Sequence, residues 1–215
     1  ALGAEIARGG MGQIRTARDR RLGRTVAIKT LLPGASSELG DRFEREARIT
    51  ARLMHPAIVP VYEAGRLADG QPFYAMKWVA GRSLEQVARQ ARTLRERLAL
   101  LPAVITVVDA IAYAHSLRVI HRDLKPHNVL VGDFGETVVI DWGLAKDLAA
   151  SASEAGAPAL PYRAQGVGAT RVGHVMGTVP YMPPEQAAGA EVDERADVYA
   201  LGALLYHVLS GAPPY

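Results

Sequence analysis

Cysteine is absent from this chain of 215 residues. Its absence excludes disulfides and thiolate zinc sites, and it fits a reducing compartment. No block of like charge occurs either: 25 Lys and Arg stand against 22 Asp and Glu, for a formal net charge of +3. The arginines are scattered rather than gathered into a stripe, which argues against a nucleic-acid surface despite a sequence pI of about 9.3. A membrane span is not expected, because the longest apolar stretch, residues 98–114, is interrupted by Pro102 and Asp109. No signal peptide opens the chain and no internal repeat is visible. What is present is a 49% hydrophobic composition, enough for a sizeable core in one domain or two small lobes.

Strand patterns come first and helical patterns later. Residues 4–14 and 24–30 read as strands, the first with a Gly-rich turn inside it. Residues 41–54 read as a helix, with Phe43, Ala47, Thr50 and Met54 on one face. Residues 58–66 and 72–79 are strand-like, and Ala80-Gly81 marks a break. Thr93 with Glu96 has the spacing of a capping box ahead of a long helix to His115. Pro102 inside that helix must kink it or shift its start. Residues 148–169, rich in Ala, Ser, Gly and Pro, are expected to form a poorly ordered loop, and residues 195–209 an apolar helix.

The run HRDLKPHNVLVGDFGETVVIDWGLAK carries two similar triplets, Asp133-Phe134-Gly135 and Asp141-Trp142-Gly143. Two short apolar runs, 128–131 and 137–140, surround the first triplet and read as a hairpin. Asn128 and Asp141 then lie side by side, while Asp133 sits at the turn, about 16 Å from Asn128 at ~3.3 Å per residue. A magnesium ion takes oxygen ligands at about 2.1 Å. Asn128 can share one with Asp141 but not with Asp133, and Asp133-Phe134-Gly135 is expected to be a turn.

Read in order, IARGGMGQI, VAIK, FEREARI, HPAIVPVYEAG, HRDLKPHNVLV, DWGLAK, GTVPYMPPEQA and DERADVYALG resemble the catalytic domain of eukaryotic-like (Hanks-type) serine/threonine protein kinases, bacterial branch. Each motif alone is weak, but eight in order leave chance negligible. The resemblance implies an α+β, bilobal fold. Residues 1–79 would form a small antiparallel lobe with one main helix, a Gly-rich loop and the hinge. Residues 80–215 would form part of a mostly helical lobe, incomplete at its C-terminal end, with the catalytic loop and activation segment. It further implies ATP, Mg2+ (or Mn2+), transfer to Ser/Thr hydroxyls of protein substrates, no nucleic-acid partner and a cytoplasmic catalytic domain.

The residue roles follow from the same resemblance. Ile6, Ala7, Gly9, Gly10, Met11 and Gly12 would cover the phosphates, the glycines letting backbone approach without Cβ obstruction. Ala7 stands where the family has its first Gly and is expected to keep a negative φ. Ile14, Ala27 and Leu130 would sandwich the adenine. Met76 would guard the back of its pocket, with Lys77, Trp78 and Val79 as the hinge, although the family often has an acidic residue at the Lys77 position. Lys29, at the end of an apolar strand, needs a counter-charge, and Glu46 is the family's partner for it. Asp123 would accept the substrate hydroxyl's proton or orient that hydroxyl. Lys125 would reach the γ-phosphate and, with Thr178, favours Ser/Thr substrates. His121 is expected to be a packing residue, since a metal site with His127 lacks a third ligand. Arg122 beside Asp123 marks enzymes switched by phosphorylation, with Thr170 the expected site and the guanidinium otherwise lacking a counter-ion. Glu185 would be costly if buried without its family partner, an arginine in a later helix.

Two other classes compete. A pseudokinase would bind nucleotide without transfer; Ala7 favours it, while the presence of Lys29, Asp123, Asn128 and Asp141 opposes it. A small-molecule kinase of related fold is opposed by the GTVPYMPPE segment, which such enzymes generally lack.

Overall fold

The computed structural model describes residues 2–9, 12–149 and 179–215. The chain opens with β1 (Leu2–Arg8), β2 (Gly12–Asp19), β3 (Arg24–Leu31), α1 (Ser37–Arg52), β4 (Val61–Arg66) and β5 (Pro72–Lys77). The five strands form one antiparallel sheet in the order β1-β2-β3-β5-β4. β3 is central, so its VAIK run is buried on both faces, while β1 at the edge is exposed throughout. Val26 and Ile28 pack with Ala75 on one side, whereas Leu31 joins Phe43, Ala47 and Tyr74 on the other.

α1 starts earlier than the 41–54 pattern predicts, because Ser36 caps it by accepting from the Leu39 amide at 3.3 Å. It also ends earlier. Leu53 leaves helical geometry and takes the buried place, and Met54, expected on the inner face, is 82% exposed. Two contacts fix this end of α1: Arg52 pairs with Asp147, and the Met54 amide donates to the Tyr113 hydroxyl at 3.2 Å. The strand expected from residue 58 begins at Val61; Ile58 instead forms an isolated parallel bridge with Val139 inside the core.

The second half comprises β6 (Gly81–Ser83), α2 (Leu84–Gln90), α3 (Leu94–Leu98), α4 (Leu101–Ser116), β7 (Val119–Ile120), β8 (Val129–Gly132), β9 (Thr137–Val139), β10 (Lys146–Asp147), α5 (Pro184–Ala187) and α6 (Glu194–Ser210). The Thr93–Glu96 capping box forms, but its helix stops at Leu98. α4 restarts at Leu101 with Pro102 in its first turn, where a missing N–H breaks no helical bond. Leu94–Ser116 has the length and apolarity of a membrane-crossing helix, yet α4 commits Val107, Ala110, Ile111 and Ala114 to the main core, with Trp142, Leu204 and Val208. The result is the α+β architecture that the motifs imply: an antiparallel sheet with one main helix, followed by a mostly helical part. The expected loop at 148–169 lies almost wholly outside the described residues.

Candidate active site

The β8–β9 hairpin pairs Val129 with Val139, Leu130 with Val138 and Val131 with Thr137. The ladder runs one step further, the Ile140 amide donating to the Asn128 carbonyl at 2.9 Å. Asp141 therefore follows directly at the Asn128 end. At the opposite end the Gly135 amide donates to the Gly132 carbonyl at 3.1 Å, Gly135 has φ 85°, and Phe134 is 98% exposed. Asp133-Phe134-Gly135 is a solvent-exposed turn remote from Asn128.

Asp141 has φ 63°, a left-handed conformation it shares with Arg118 and Arg122 among the described non-glycine residues. Such backbone is strained and persists only where neighbours enforce it. The next residue, Trp142, is buried with its indole against the His121 ring, centroids 4.6 Å apart. The Asp141 carboxylate is half-exposed in the cleft, 3.5 Å from the Lys29 ammonium. Crowding by protein pushes its pKa up, but Lys29, then His121 and Lys125, outweigh this and hold it below the ordinary carboxylate range.

Lys29 and Glu46 form a buried ion pair, Nζ to Oε1 at 2.5 Å. Burial opposes the ammonium, yet Glu46, with Tyr74 and Asp141 adding, keeps the Lys29 pKa well above the ordinary lysine range. The Tyr74 hydroxyl donates to the same Glu46 oxygen at 2.6 Å.

The catalytic-loop segment is held from α6. Asp197 is fully buried and accepts from the His121 amide at 2.8 Å and the Arg122 amide at 2.9 Å, while His115 Nε2 lies 2.8 Å away. Burial works against its charge, but these donors hold its pKa below the ordinary range. The segment so fixed presents Asp123. Lys125 Nζ lies 2.7 Å from Asp123 Oδ2, and Asn128 Nδ2 donates to the Asp123 carbonyl at 2.9 Å and to Oδ2 at 3.2 Å. With its nitrogen committed to Asp123, Asn128 has its carbonyl oxygen left for a cation. That oxygen and the Asp141 carboxylate are hard, oxygen-only donors, which fits magnesium.

Arg122 does not sit bare. Its Nε donates to the Leu144 carbonyl at 2.6 Å, and its own carbonyl accepts from Gln186 at 2.8 Å. Burial lowers the guanidinium pKa; Asp197 opposes this, and the positive charges of Arg42 and Arg45 on α1 reinforce it. Among the described residues the guanidinium makes no ion pair; the Asp197 charge, already held by the His121 and Arg122 amides, only partly offsets its burial. Glu185, which would be costly if buried and unpaired, is exposed at the start of α5, so that cost does not arise.

In the glycine turn the Gly9 amide donates to the Gly12 carbonyl at 2.9 Å. A Cβ on Gly12 would come within 2.3 Å of the Thr30 carbonyl, whereas one on Gly9 meets nothing. Ala7 pairs with Ile14 and avoids positive φ. Ile6 is exposed on β1. The ladders set Ile14 opposite Lys29 and Ala27 opposite Met76, and Met76, Val79 and Leu130 converge in one apolar cluster. Lys77 points to solvent. His127 faces Glu85 at the surface, and no group of three or more His, Cys, Asp or Glu suited to a metal exists among the described residues. Gly10, Met11, Thr170 and Thr178 lie outside the described residues.

Sequence reasoning gave no role at the site to Tyr74, Arg42, Arg45 or Gln186. Asp197 figured there only within the motif DERADVYALG. A Tyr in a strand and arginines on a charged helix carry no distinguishing spacing. The helix α2 was also missed, although Ser83 and Gln86 form a complete capping box that signals its start.

An antiparallel sheet with one helix set against it, a buried Lys–Glu pair and an Asp–Asn loop anchored from a distant helix make up the candidate site. The protein kinase domain family matches residues 1–215, and the chain belongs to that family. It is 38% identical over 225 residues to the serine/threonine-protein kinase PknD of Protochlamydia amoebophila, covering 98% of this chain and 23% of that protein. It is 38% identical over 229 residues to PknD of Chlamydia muridarum, covering 98% and 24%. Against the probable serine/threonine-protein kinase PknB of Bifidobacterium longum the identity is 35% over 224 residues, covering 100% and 30%. The chain thus spans about a quarter of the length of these relatives.

Proposed function

We propose that this chain transfers the γ-phosphate of ATP to Ser or Thr hydroxyls of protein substrates, with residues 1–79 and 80–215 as the two lobes and the cleft between them facing the cytoplasm. One observation carries the reading: Lys29 joins Glu46 and Asp141, while Asn128 and Lys125 converge on Asp123. Every charge that phosphoryl transfer must align is therefore within one cleft. Asp123 accepts or orients the attacking hydroxyl. Lys125 sits where it can neutralise charge on the group in flight. Lys29 meets the α- and β-phosphates. Gly9 and Gly12 let backbone approach them, with Ala7, Gly10 and Met11 in the same loop. Ile14, Ala27 and Leu130 flank the adenine, with Met76, Lys77 and Val79 along its edge. Asn128 and Asp141 would hold magnesium or manganese, which when bound would supply positive charge against the charge developing on the phosphates.

The test is ATP-dependent incorporation of phosphate into a generic basic protein. Wild-type protein should incorporate it and Asp123→Asn should not. Equal incorporation by both, or by neither, would overturn the reading, and binding without transfer would point to a nucleotide-binding scaffold.

The same reading includes control by phosphorylation at Thr170. Arg122 with Arg42 and Arg45 gathers positive charge from two elements beside the catalytic loop. A phosphate adds about −1.5 to −2 charge and three acceptors, which relieves that repulsion. Mass spectrometry after incubation with ATP and magnesium should find phosphate on Thr170, and Thr170→Ala should reduce activity. An unphosphorylated Thr170 with undiminished activity in the variant would remove this switch.

A further inference from the structure

We infer that the Tyr74 hydroxyl is a second, nucleotide-independent latch on Glu46, which makes Tyr74 a positioning residue for phosphoryl transfer. The inference rests on the kinase reading above. Glu46 is the sole buried acid of α1, and a single oxygen, Oε1, takes both of its bonds: Lys29 Nζ at 2.5 Å and the Tyr74 hydroxyl at 2.6 Å. Its other oxygen is buried with no hydrogen-bond partner among the described residues. The inward placement of α1 at this level therefore depends on two donors. They differ in kind. Lys29 has other duties: its ammonium already lies 3.5 Å from Asp141 and must turn toward substrate phosphates during transfer. Tyr74 has none in the mechanism. It lies on β5, is 3% exposed, and its ring packs at a tilt of 40° against Phe43, centroids 5.1 Å apart, one turn before Glu46 on the same helix.

The phenol suits the task. Burial raises its pKa; the Lys29 charge opposes this and the Glu46 charge adds to it, leaving the pKa well above the ordinary tyrosine range. It stays a donor at any working pH. A hydrogen bond to a charged acceptor in a buried site is among the stronger ones proteins make. As phosphates compete for Lys29, the hydroxyl keeps Glu46, and with it α1, in place.

Tyr74→Phe separates the hydroxyl from the ring, because Phe retains the contact with Phe43 and loses only the O–H. Tyr74→Leu removes both. The first measurement is amide hydrogen exchange over residues 37–52 in the nucleotide-free full chain. Tyr74→Phe should speed exchange there about tenfold, the factor expected for losing one charge-assisted bond, with α4 and α6 unchanged. The second is steady-state kinetics: kcat should fall about tenfold, while the KM for ATP moves little, since Tyr74 is not among the adenine-flanking residues. A Tyr74→Phe variant equal to wild type in both measurements, with only Tyr74→Leu impaired, would make Tyr74 a packing residue and overturn the latch. Faster exchange across α4 and α6 as well would also overturn it, as a general stability effect. If the wild-type chain transfers no phosphate, the kinase reading fails, while exchange over residues 37–52 still decides the latch.

Discussion

Asp141 and Asp133 carry the same side chain eight positions apart, and only their backbone settings differ. Asp141 has a left-handed conformation next to the buried Trp142 and faces Lys29, whereas Asp133 belongs to an exposed turn. Asp141→Ala is expected to abolish phosphate incorporation, and Asp133→Ala to leave it near the wild-type level, both read in the same assay; equal losses would count against Asp141 as the metal ligand. Lys29→Met is expected to destroy catalysis even at saturating ATP. It also strands a buried carboxylate, which typically costs ~3–5 kcal/mol. The Tyr74 bond should keep the loss toward the lower part of that range, as a urea midpoint can show.

Among the elements, the hairpin, the strand carrying Lys29 and the Thr93 cap were all legible in the sequence, because turn glycines, strand alternation and capping spacing are local signals. The hold that Asp197 exerts on His121 and Arg122 was not, since it joins groups 75 residues and more apart. Nor was the Tyr74–Glu46 bond, which depends on how α1 lies across the sheet. The juxtaposition of Asn128 and Asp141 could be reasoned out because one hairpin sets both positions. The break between α3 and α4 was half legible: Pro102 announced it, but the restart at Leu101 comes from how the apolar face meets the core.

Two expectations belong at this scale. Ser83→Ala deletes the side-chain half of the α2 capping box and should cost ~1 kcal/mol by chemical denaturation. Asp197 contributes in a defined pH window. Its folded pKa lies below the ordinary aspartate value of 3.8, so its stabilisation is fully present above about 3.8 and is lost as pH falls through the lower folded value. Wild type should therefore lose stability on acidification below about 3.8 more steeply than Asp197→Asn, while exceeding it near neutrality. Parallel urea midpoints against pH would reveal two curves of equal slope if Asp197 has no such role.

For the molecule as a whole, the sheet and the helical part meet along α1, whose two ends are held very differently. The C-terminal end is tied down by Arg52 to Asp147 and by the Met54 amide to Tyr113, while the other end has the Ser36 cap beside the loop from β3. That makes α1 a lever with its fulcrum at residues 52–54. At ~1.5 Å per residue, Glu46 sits ~9 Å from the fulcrum and Ser37 ~22 Å from it. A tilt of ~15° would then displace Glu46 by ~2 Å, enough to break both of its bonds, while sweeping the first turn through ~6 Å. A force applied at the first turn therefore acts with more than twice the torque of the same force applied at Glu46, so whatever touches residues 37–41 governs the cleft with the greatest mechanical advantage.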